Sequence, residues 1–385
     1  MAWANCENRY NDERVSSACG LFGFMDTTGQ RHDGSRAIKA LYAMKERGNG
    51  LGAGFAVYGL YPEWADQYAF HVMCRDEADR LEVEDYLRRY FRIAHAEPIP
   101  HTPVKGMVEG PILWRYFVAL LEGIEEAQAE EDAVIQHVMR INSQMDGAFV
   151  FSSGKNMGIF KGVGHPEQIA EFYRMDTYQG YLWTAHNRFP TNTPGWWGGA
   201  HPFGLLDWSV VHNGEISSYG INRRYLEMHG YLCTMRTDTE VVAYAADLLM
   251  RRHGLAPEWA AAVFASPLWN EIEAMPEPEQ GFYRAIRQTY GSLLLNGPFT
   301  VIIARTGQMI GLGDRIRLRP LVAGIKGSML YISSELSAIH LAEPAIEFTW
   351  TPLGGVPVMA RLGSAPEPPP SGHRMSVLAP EVRYA

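Results

Sequence analysis

Ala18-Cys19-Gly20-Leu21-Phe22-Gly23 is the stretch on which the reading of this chain turns. A cysteine opens a short apolar run of strand character, behind a polar leader at residues 1–18, MAWANCENRYNDERVSSA. Removal of that leader makes Cys19 the first residue, with a thiol and a free α-amine on the same carbon. A thiolate is a strong nucleophile, and an α-amine with a pKa of about 8 is a usable base near neutral pH. One residue then holds both nucleophile and base. The competing role for a lone cysteine is that of a small buried hydrophobe, and the rest of the chain decides between them.

Composition sets broad limits. At 385 residues the chain makes one large domain or two moderate ones. Charged residues at 20% and hydrophobic ones at 46% are ordinary for a soluble globular protein. The net charge of -9, with no basic run, argues against nucleic-acid binding. The four cysteines, at 6, 19, 74 and 233, form no CxxC pair and no disulfide framework, which points to a reducing, cytoplasmic setting. No run of 18 apolar residues occurs, so no membrane span is expected, and the leader lacks the apolar core of a secretory signal.

From Cys19 onward the pattern predicts a strand over 19–25 and a helix over 35–46 with Ile38, Leu41, Tyr42 and Lys45 at helical spacing. Arg47-Gly48-Asn49-Gly50-Leu51-Gly52-Ala53-Gly54 follows a helix and precedes a strand (Phe55 to Tyr61), the wrong order for a phosphate loop. It reads instead as backbone that must pass close to something, with the Cys19 end of its neighbouring strand as the expected contact. Residues 62–145 read as a small α/β insertion. Within it lie strands at Tyr68 to Cys74 and Ile112 to Leu121, and a proline-broken extended segment from Ile93 to Val104. Its helix runs from Asp76 to Phe91 with Ala78, Leu81, Leu87 and Phe91 inward. The acidic segment Glu122–Asp132 reads as a solvated helix face and not a metal site. AFVFSS and MGIFKG, joined at Gly154-Lys155-Asn156, read as a hairpin, followed by a helix from Pro166 to Met175.

The second half carries the polar residues. A strand over Tyr181 to His186 ends in Asn187-Arg188-Phe189-Pro190-Thr191-Asn192-Thr193, and another over Trp208 to His212 ends in Asn213-Gly214-Glu215-Ile216. Arg236-Thr237-Asp238-Thr239-Glu240 opens a helix. Each has an innocent explanation: Asn-Gly as a hairpin turn, Thr237 with Glu240 as a capping box, Arg188 as a structural ion pair.

Taken together they match a known set, and the chain resembles the class II glutamine amidotransferases. The matching pieces are CGLFG at 19–23, RGNG at 47–50, HNRFPTNT at 186–193, HNGEI at 212–216, TDTE at 237–240, GDRIRLRPL at 313–321 and SSE at 333–335. Their order is that of the family, over roughly residues 19–360. HNRFPTNT, AHPF at 200–203 and HNGEI look most like the amidotransferase part of glutamate synthase. RGNGLGAGFAVYGLYPE with the insertion after it is most similar to the stand-alone subunit of split, archaeal-type glutamate synthases.

The resemblance implies an α+β fold, the four-layer αββα sandwich of N-terminal-nucleophile hydrolases. It implies a propeptide at 1–18, an amidotransferase domain at 19–360 and a proline-rich tail at 361–385. Cys19 would attack the side-chain amide of L-glutamine, the Asn213 side chain and the Gly214 N–H would hold the oxyanion, and Arg188 and Asp238 would clamp the α-carboxylate and α-ammonium. Thr191 would add a minor contact; Arg47, Asp314 and Arg315 would brace the site. No cofactor or metal is implied in this chain. Flavin and iron–sulfur groups would belong to partner subunits, one of which accepts the ammonia. The expected docking surfaces are the insertion, the Trp196-Trp197-Gly198-Gly199 loop and the tail. Two rivals remain: another N-terminal-nucleophile amide hydrolase, which would need no such clamp, and an unprocessed, non-catalytic glutamine-binding subunit.

Overall fold

The computed structural model describes residues 18–107, 109–190 and 195–368. Strand Gly20–Asp26 is buried at every position, and its two faces divide the architecture. Phe22 and Phe24 point outward into an aromatic cluster with Trp183 and Tyr331. Gly23 points inward, where an added Cβ would lie 3.0 Å from Met309 Sδ and 3.2 Å from Ile302 Cδ1 of a second sheet. Covered on both sides, the strand is a continuous apolar run instead of an alternating one.

The first sheet has seven strands in the order Phe348–Trp350, Val322–Lys326, Met329–Ser333, Gly20–Asp26, Leu182–Asn187, Ala53–Tyr58, Met157–Gly162. All its pairings are antiparallel. The second has five, Phe203–Leu205, Trp208–Gly214, Phe299–Arg305, Gln308–Gly313 and Val358–Arg361. Strand Gly20–Asp26 packs on Trp208–Gly214 and Phe299–Arg305. Helices Ser35–Ala43, Pro166–Tyr173 and Leu336–Ala342 cover the first sheet, and Asp238–Ala246 covers the second, with Tyr219–Met228 packed beside it. This is the αββα sandwich that the sequence implied.

A third sheet, Phe91–Pro98, Ile112–Leu120, Tyr68–Cys74 and Ala148–Ser152, forms the insertion with helices Glu77–Tyr90 and Ala127–Gln144. The insertion therefore runs past 145. Ala148–Ser152 pairs with Tyr68–Cys74 and Met157–Gly162 with Ala53–Tyr58, so the expected hairpin is instead a crossing from one sheet to another. On helix Glu77–Tyr90, Ala78 and Leu81 are exposed while Val83, Tyr86 and Leu87 are buried. The buried stripe also takes in the aliphatic stem of Arg80, whose charge is met by Glu77 and Glu84. The acidic segment is only partly a solvated face, because Glu131 and Asp132 pair with the buried Arg251 at 3.6 and 2.7 Å.

Asn213-Gly214 is likewise no turn. Both residues lie inside strand Trp208–Gly214, opposite Thr300 and Phe299. Gly214 has φ 143°, and an added Cβ would come within 1.9 Å of the Pro298 carbonyl oxygen. Gly281, in helix Glu277–Tyr290, has open space around it. Gly281→Ala should therefore be neutral or stabilising by about 0.5–1 kcal/mol, through helix propensity alone. Gly214→Ala should cost at least about 2 kcal/mol, since backbone must move. Chemical denaturation of the two variants checks the contrast.

Candidate active site

The antiparallel pairing brings several strand ends to one edge. Cys19 precedes strand Gly20–Asp26, Arg188 follows Leu182–Asn187, and Ser334 follows Met329–Ser333. Asn213 and Gly214 close Trp208–Gly214 on the facing sheet, and Asp238 begins helix Asp238–Ala246. These ends surround a cavity of about 310 Å³ whose wall includes Ala18, Cys19, Arg188, Asn213, Gly214 and Asp238. Thr191 lies outside the described residues. The other five residues singled out from the sequence, distant along the chain, share one cleft.

Cys19 is fixed from two directions. The Phe189 N–H donates to its Sγ at 3.3 Å. Arg47 donates from Nε to the Cys19 carbonyl at 3.0 Å and from Nη1 to Glu335 at 2.7 Å, so it braces the Cys19 backbone. Burial pushes the Cys19 thiol up from its ordinary value; the Phe189 N–H and the Arg188 guanidinium pull it down, and the Asp238 carboxylate pushes it up.

Arg188 is 4% exposed. Its N–H donates to the Gly52 carbonyl at 2.9 Å, and a Cβ on Gly52 would lie 3.2 Å from its Cδ. A Cβ on Gly48 would meet the Asn187 side chain at 1.9 Å, and one on Gly54 the His201 carbonyl at 2.3 Å. The glycine-rich loop does pass close to other backbone: its first residue, Arg47, meets the Cys19 end, where its carbonyl accepts the Ala18 N–H at 3.2 Å, and its glycines pass the Arg188 end of strand Leu182–Asn187. Burial draws the Arg188 guanidinium down, while the neighbouring Cys19 and Asp238 hold it up.

Asp238 is anchored by the Ile216 N–H at 3.1 Å and by His212, whose Nδ1 lies 3.4 Å from Oδ1. Burial would raise this carboxyl, but the His212 imidazole and the backbone N–H groups of Ile216 and Thr239 hold it down at about 2. It is an anion throughout the neutral range. Thr237 makes no side-chain cap bond, so the expected capping box is absent. Its intended partner, Glu240, turns inward and accepts the Thr234 and Met235 N–H groups at 3.1 and 3.0 Å and the Tyr244 hydroxyl at 3.1 Å.

Asn213 is wholly buried and donates from Nδ2 to the Ser334 hydroxyl at 3.3 Å. That hydroxyl also receives the Leu21 N–H at 3.2 Å. Ser334, His212 and Arg319 sit inside the quoted SSE, HNGEI and GDRIRLRPL motifs, yet no role for them could be read from residue type. Their contacts cross from sheet to sheet and appear only once the strands are paired. His212 and Arg319 both line the cleft. Asp314 accepts the N–H groups of Phe299, Ile316, Leu318 and Arg319, and Arg315 donates to Ser266 and Asn296, as expected of bracing groups. No cluster of three or more metal-ligating side chains occurs among the described residues.

A cysteine at the head of an inner strand of a four-layer sandwich, facing a cleft, is the arrangement of an N-terminal-nucleophile hydrolase. Residues 109–351 match the family described as glutamine amidotransferases class-II, and the chain belongs to that family. The matched span contains Arg188, Asn213, Gly214 and Asp238; Cys19 precedes it. An uncharacterized protein of Archaeoglobus fulgidus is 54% identical over 91% of this chain and 94% of its own length. A Methanothermobacter thermautotrophicus protein, named provisionally as a glutamine amidotransferase, is 26% identical over 82% of this chain and 91% of that protein. Glutamine--fructose-6-phosphate aminotransferase of Vibrio vulnificus is 29% identical over 43% of this chain and 25% of that enzyme. Among solved structures, glutamine PRPP amidotransferase from B. subtilis aligns at 15% identity with a TM-score of 0.45, over 89% of this chain and 47% of that one. No helix among the described residues is long and apolar enough to cross a membrane.

Glu240 yields a pH test. Burial raises its carboxyl to about 7. A folded value above the unfolded one means stability fully present below the unfolded pKa and lost as pH rises through about 7. The shift from 4.5 to about 7 corresponds to about 3 kcal/mol. Unfolding free energy of wild type should fall relative to Glu240→Gln between pH 4.5 and 7.5; parallel curves would show that Glu240 is not held protonated.

Proposed function

We propose that this chain is a glutamine-hydrolysing subunit that releases ammonia through a Cys19 thioester and passes it to a partner synthase. The observation that carries the reading is the cleft itself, where a thiol, a guanidinium and an ionised carboxylate surround one space. Glutamine is a zwitterion with a side-chain amide. Arg188 suits its α-carboxylate through paired N–H donors, and Asp238 suits its α-ammonium. The amide then lies toward Cys19.

The chemistry needs only groups of this chain and water. The Cys19 α-amine takes the thiol proton as Sγ bonds to the amide carbon. The oxyanion so formed is met by the Asn213 amide and the Gly214 N–H, donors of a kind worth about 3 kcal/mol each. The C–N bond breaks as the amine returns the proton to the leaving nitrogen, giving ammonia and a thioester. Water, deprotonated by the same amine, releases glutamate. In the described structure Ala18 lines the cleft beside Cys19. Removal of residues 1–18 would free the base and clear that wall together.

Glutamate synthesis is the destination we favour, supported by the likeness of HNRFPTNT, AHPF and HNGEI to that branch. Flavin and iron–sulfur groups would then sit on partner subunits, in the cytoplasm. Of the surfaces proposed to dock a synthase, the tryptophan loop divides: Trp197 is 7% exposed and packs on Phe172, while Trp196 is 41% exposed and available.

The test is glutaminase activity of chains whose N-terminus is established by mass spectrometry. Chains beginning at Cys19 should hydrolyse glutamine, and chains retaining Met1 should not; full activity with Met1 retained would sink the mechanism. Arg188→Ala and Asp238→Ala should each lower kcat/KM by about a hundredfold or more, because a charged substrate group is left unpaired in a closed site. Asn213→Ala should lower kcat by about a hundredfold with KM little changed, since it acts on charge present only in the transition state.

A further inference from the structure

A second cavity, of about 280 Å³, lies behind the glutamine cleft and shares one wall with it, the Arg319 side chain. Arg317 and Thr351 also line it, with Ile316, Leu321 and Leu353 as apolar walls, and no acidic residue faces it. We propose that this cavity is an anion subsite that takes the carboxylate or phosphate group of a small ammonia-acceptor molecule. The word acceptor rests on the amidotransferase reading above; the anion site does not.

Four observations carry it. First, the Arg319 Nε is buried and has no hydrogen-bond partner among the described residues. A buried charged donor left without an acceptor is costly, and an anion in the adjoining space supplies what it lacks. Second, the carboxylate within the same loop is already committed: Asp314 accepts from the Ile316, Leu318 and Arg319 N–H groups and cannot serve as a counter-ion without releasing the loop. Third, that bonding holds Arg317 in the left-handed region, at φ 56°, which a non-glycine residue adopts only when its surroundings impose it. Arg315 between them turns away to Ser266 and Asn296. Fourth, two arginines, the exposed Arg317 and the half-buried Arg319, line one cavity on a chain whose net charge is -9. A local positive site on an acidic protein gathers small anions against the general field.

The chemistry of the walls defines the ligand class. Guanidinium groups bind carboxylate and phosphate through paired N–H donors, the Thr351 hydroxyl adds a donor, and the apolar side suits a short carbon chain. Arg319 lines both this cavity and the cleft that holds Cys19. The acceptor's charged end would then lie one side chain away from the place where ammonia is released.

The test is titration calorimetry of the full chain with inorganic phosphate and, separately, with propionate, at ionic strength held constant with chloride. Saturable binding of at least one probe is expected. Arg317→Gln should weaken it about tenfold and Arg319→Gln should abolish it, while Arg317→Gln in chains beginning at Cys19 retains wild-type glutaminase kinetics because Arg317 does not line the cleft. Response to phosphate alone assigns a phosphorylated acceptor, and response to both a site open to carboxylates. Binding unchanged in Arg317→Gln, or lost in Arg188→Ala instead, would place the anion in the glutamine cleft and overturn the proposal. No saturable binding of either probe would also overturn it. Probe binding by a chain shown to begin at Cys19 and yet inactive would defeat the amidotransferase reading while leaving the anion site standing.

Discussion

The hydroxyl of Ser334 ties the two halves of the sandwich together at the site. It receives the Leu21 N–H from the nucleophile's strand and the Asn213 amide from the facing sheet, while the Ser334 N–H donates to the Leu21 carbonyl. Asn213 and Cys19 belong to different sheets, and sheets slide or rock more readily than neighbouring strands do. A buried bond to both fixes the Cys19 strand relative to the Asn213 amide before any ligand arrives, as the proposed attack and oxyanion roles would need. That is what electrostatic preorganisation requires, since donors that must reorganise during reaction lose most of their advantage. Antiparallel pairing does the rest, because alternate strand ends necessarily gather at one edge and carry Gly52, Cys19, Arg188 and Ser334 there.

Charge in the cleft is arranged by the same economy. His186, His201 and His212 are buried together, with the first two rings stacked at 4.1 Å. Burial holds His186 at about 3 and His201 well below the ordinary imidazole range, so both are neutral spacers. His212 faces Asp238 and Thr239 through Nδ1 and is aligned by them. The charged residues of the cleft wall are then Arg188, Arg236 and Arg319 with Asp238 and Glu215. A wall carrying both signs of charge suits the zwitterion proposed above better than a neutral diamide.

How much of this was legible in the sequence depends on the range of the interactions involved. The inner strand and the helices near 35–46, 76–91, 166–175 and 237 onward followed from local pattern, whereas Cys19, Arg188, Asn213, Gly214 and Asp238 came together only through the resemblance to a known family; helices Tyr219–Met228, Pro257–Phe264, Glu277–Tyr290 and Leu336–Ala342 were not read at all. The misreadings share a cause. Asn213-Gly214 carries the local signature of a turn, and Thr237 with Glu240 that of a capping box, but the pairing of Trp208–Gly214 with Phe299–Arg305 and the inward turn of Glu240 override both. Strands 148–152 and 157–162 have hairpin spacing, yet each finds its partner in a different sheet. Leu81 fitted a helical stripe but the stripe lies one step round, because Arg80 buries its stem against Trp114. Local propensity is a weak term whenever tertiary pairing competes with it.

The polar atoms left without protein partners also follow a pattern. Asn213 Oδ1, His212 Nε2, His201 Nδ1 and Arg319 Nε are buried and lack hydrogen bonds among the described residues, and all four residues line the same cleft. Each unsatisfied buried group costs about 1–3 kcal/mol, more than a typical single substitution gains or loses. A fold selected for stability alone would replace them with apolar side chains of similar volume. Buried polar atoms without a partner also occur away from the cleft, Trp114 Nε1 and Ser266 Oγ among them, but these four belong to residues that line one space, where a ligand can reach them. The ligand therefore completes the hydrogen-bonding of the core as well as occupying the cleft, and binding and folding stability draw on the same groups.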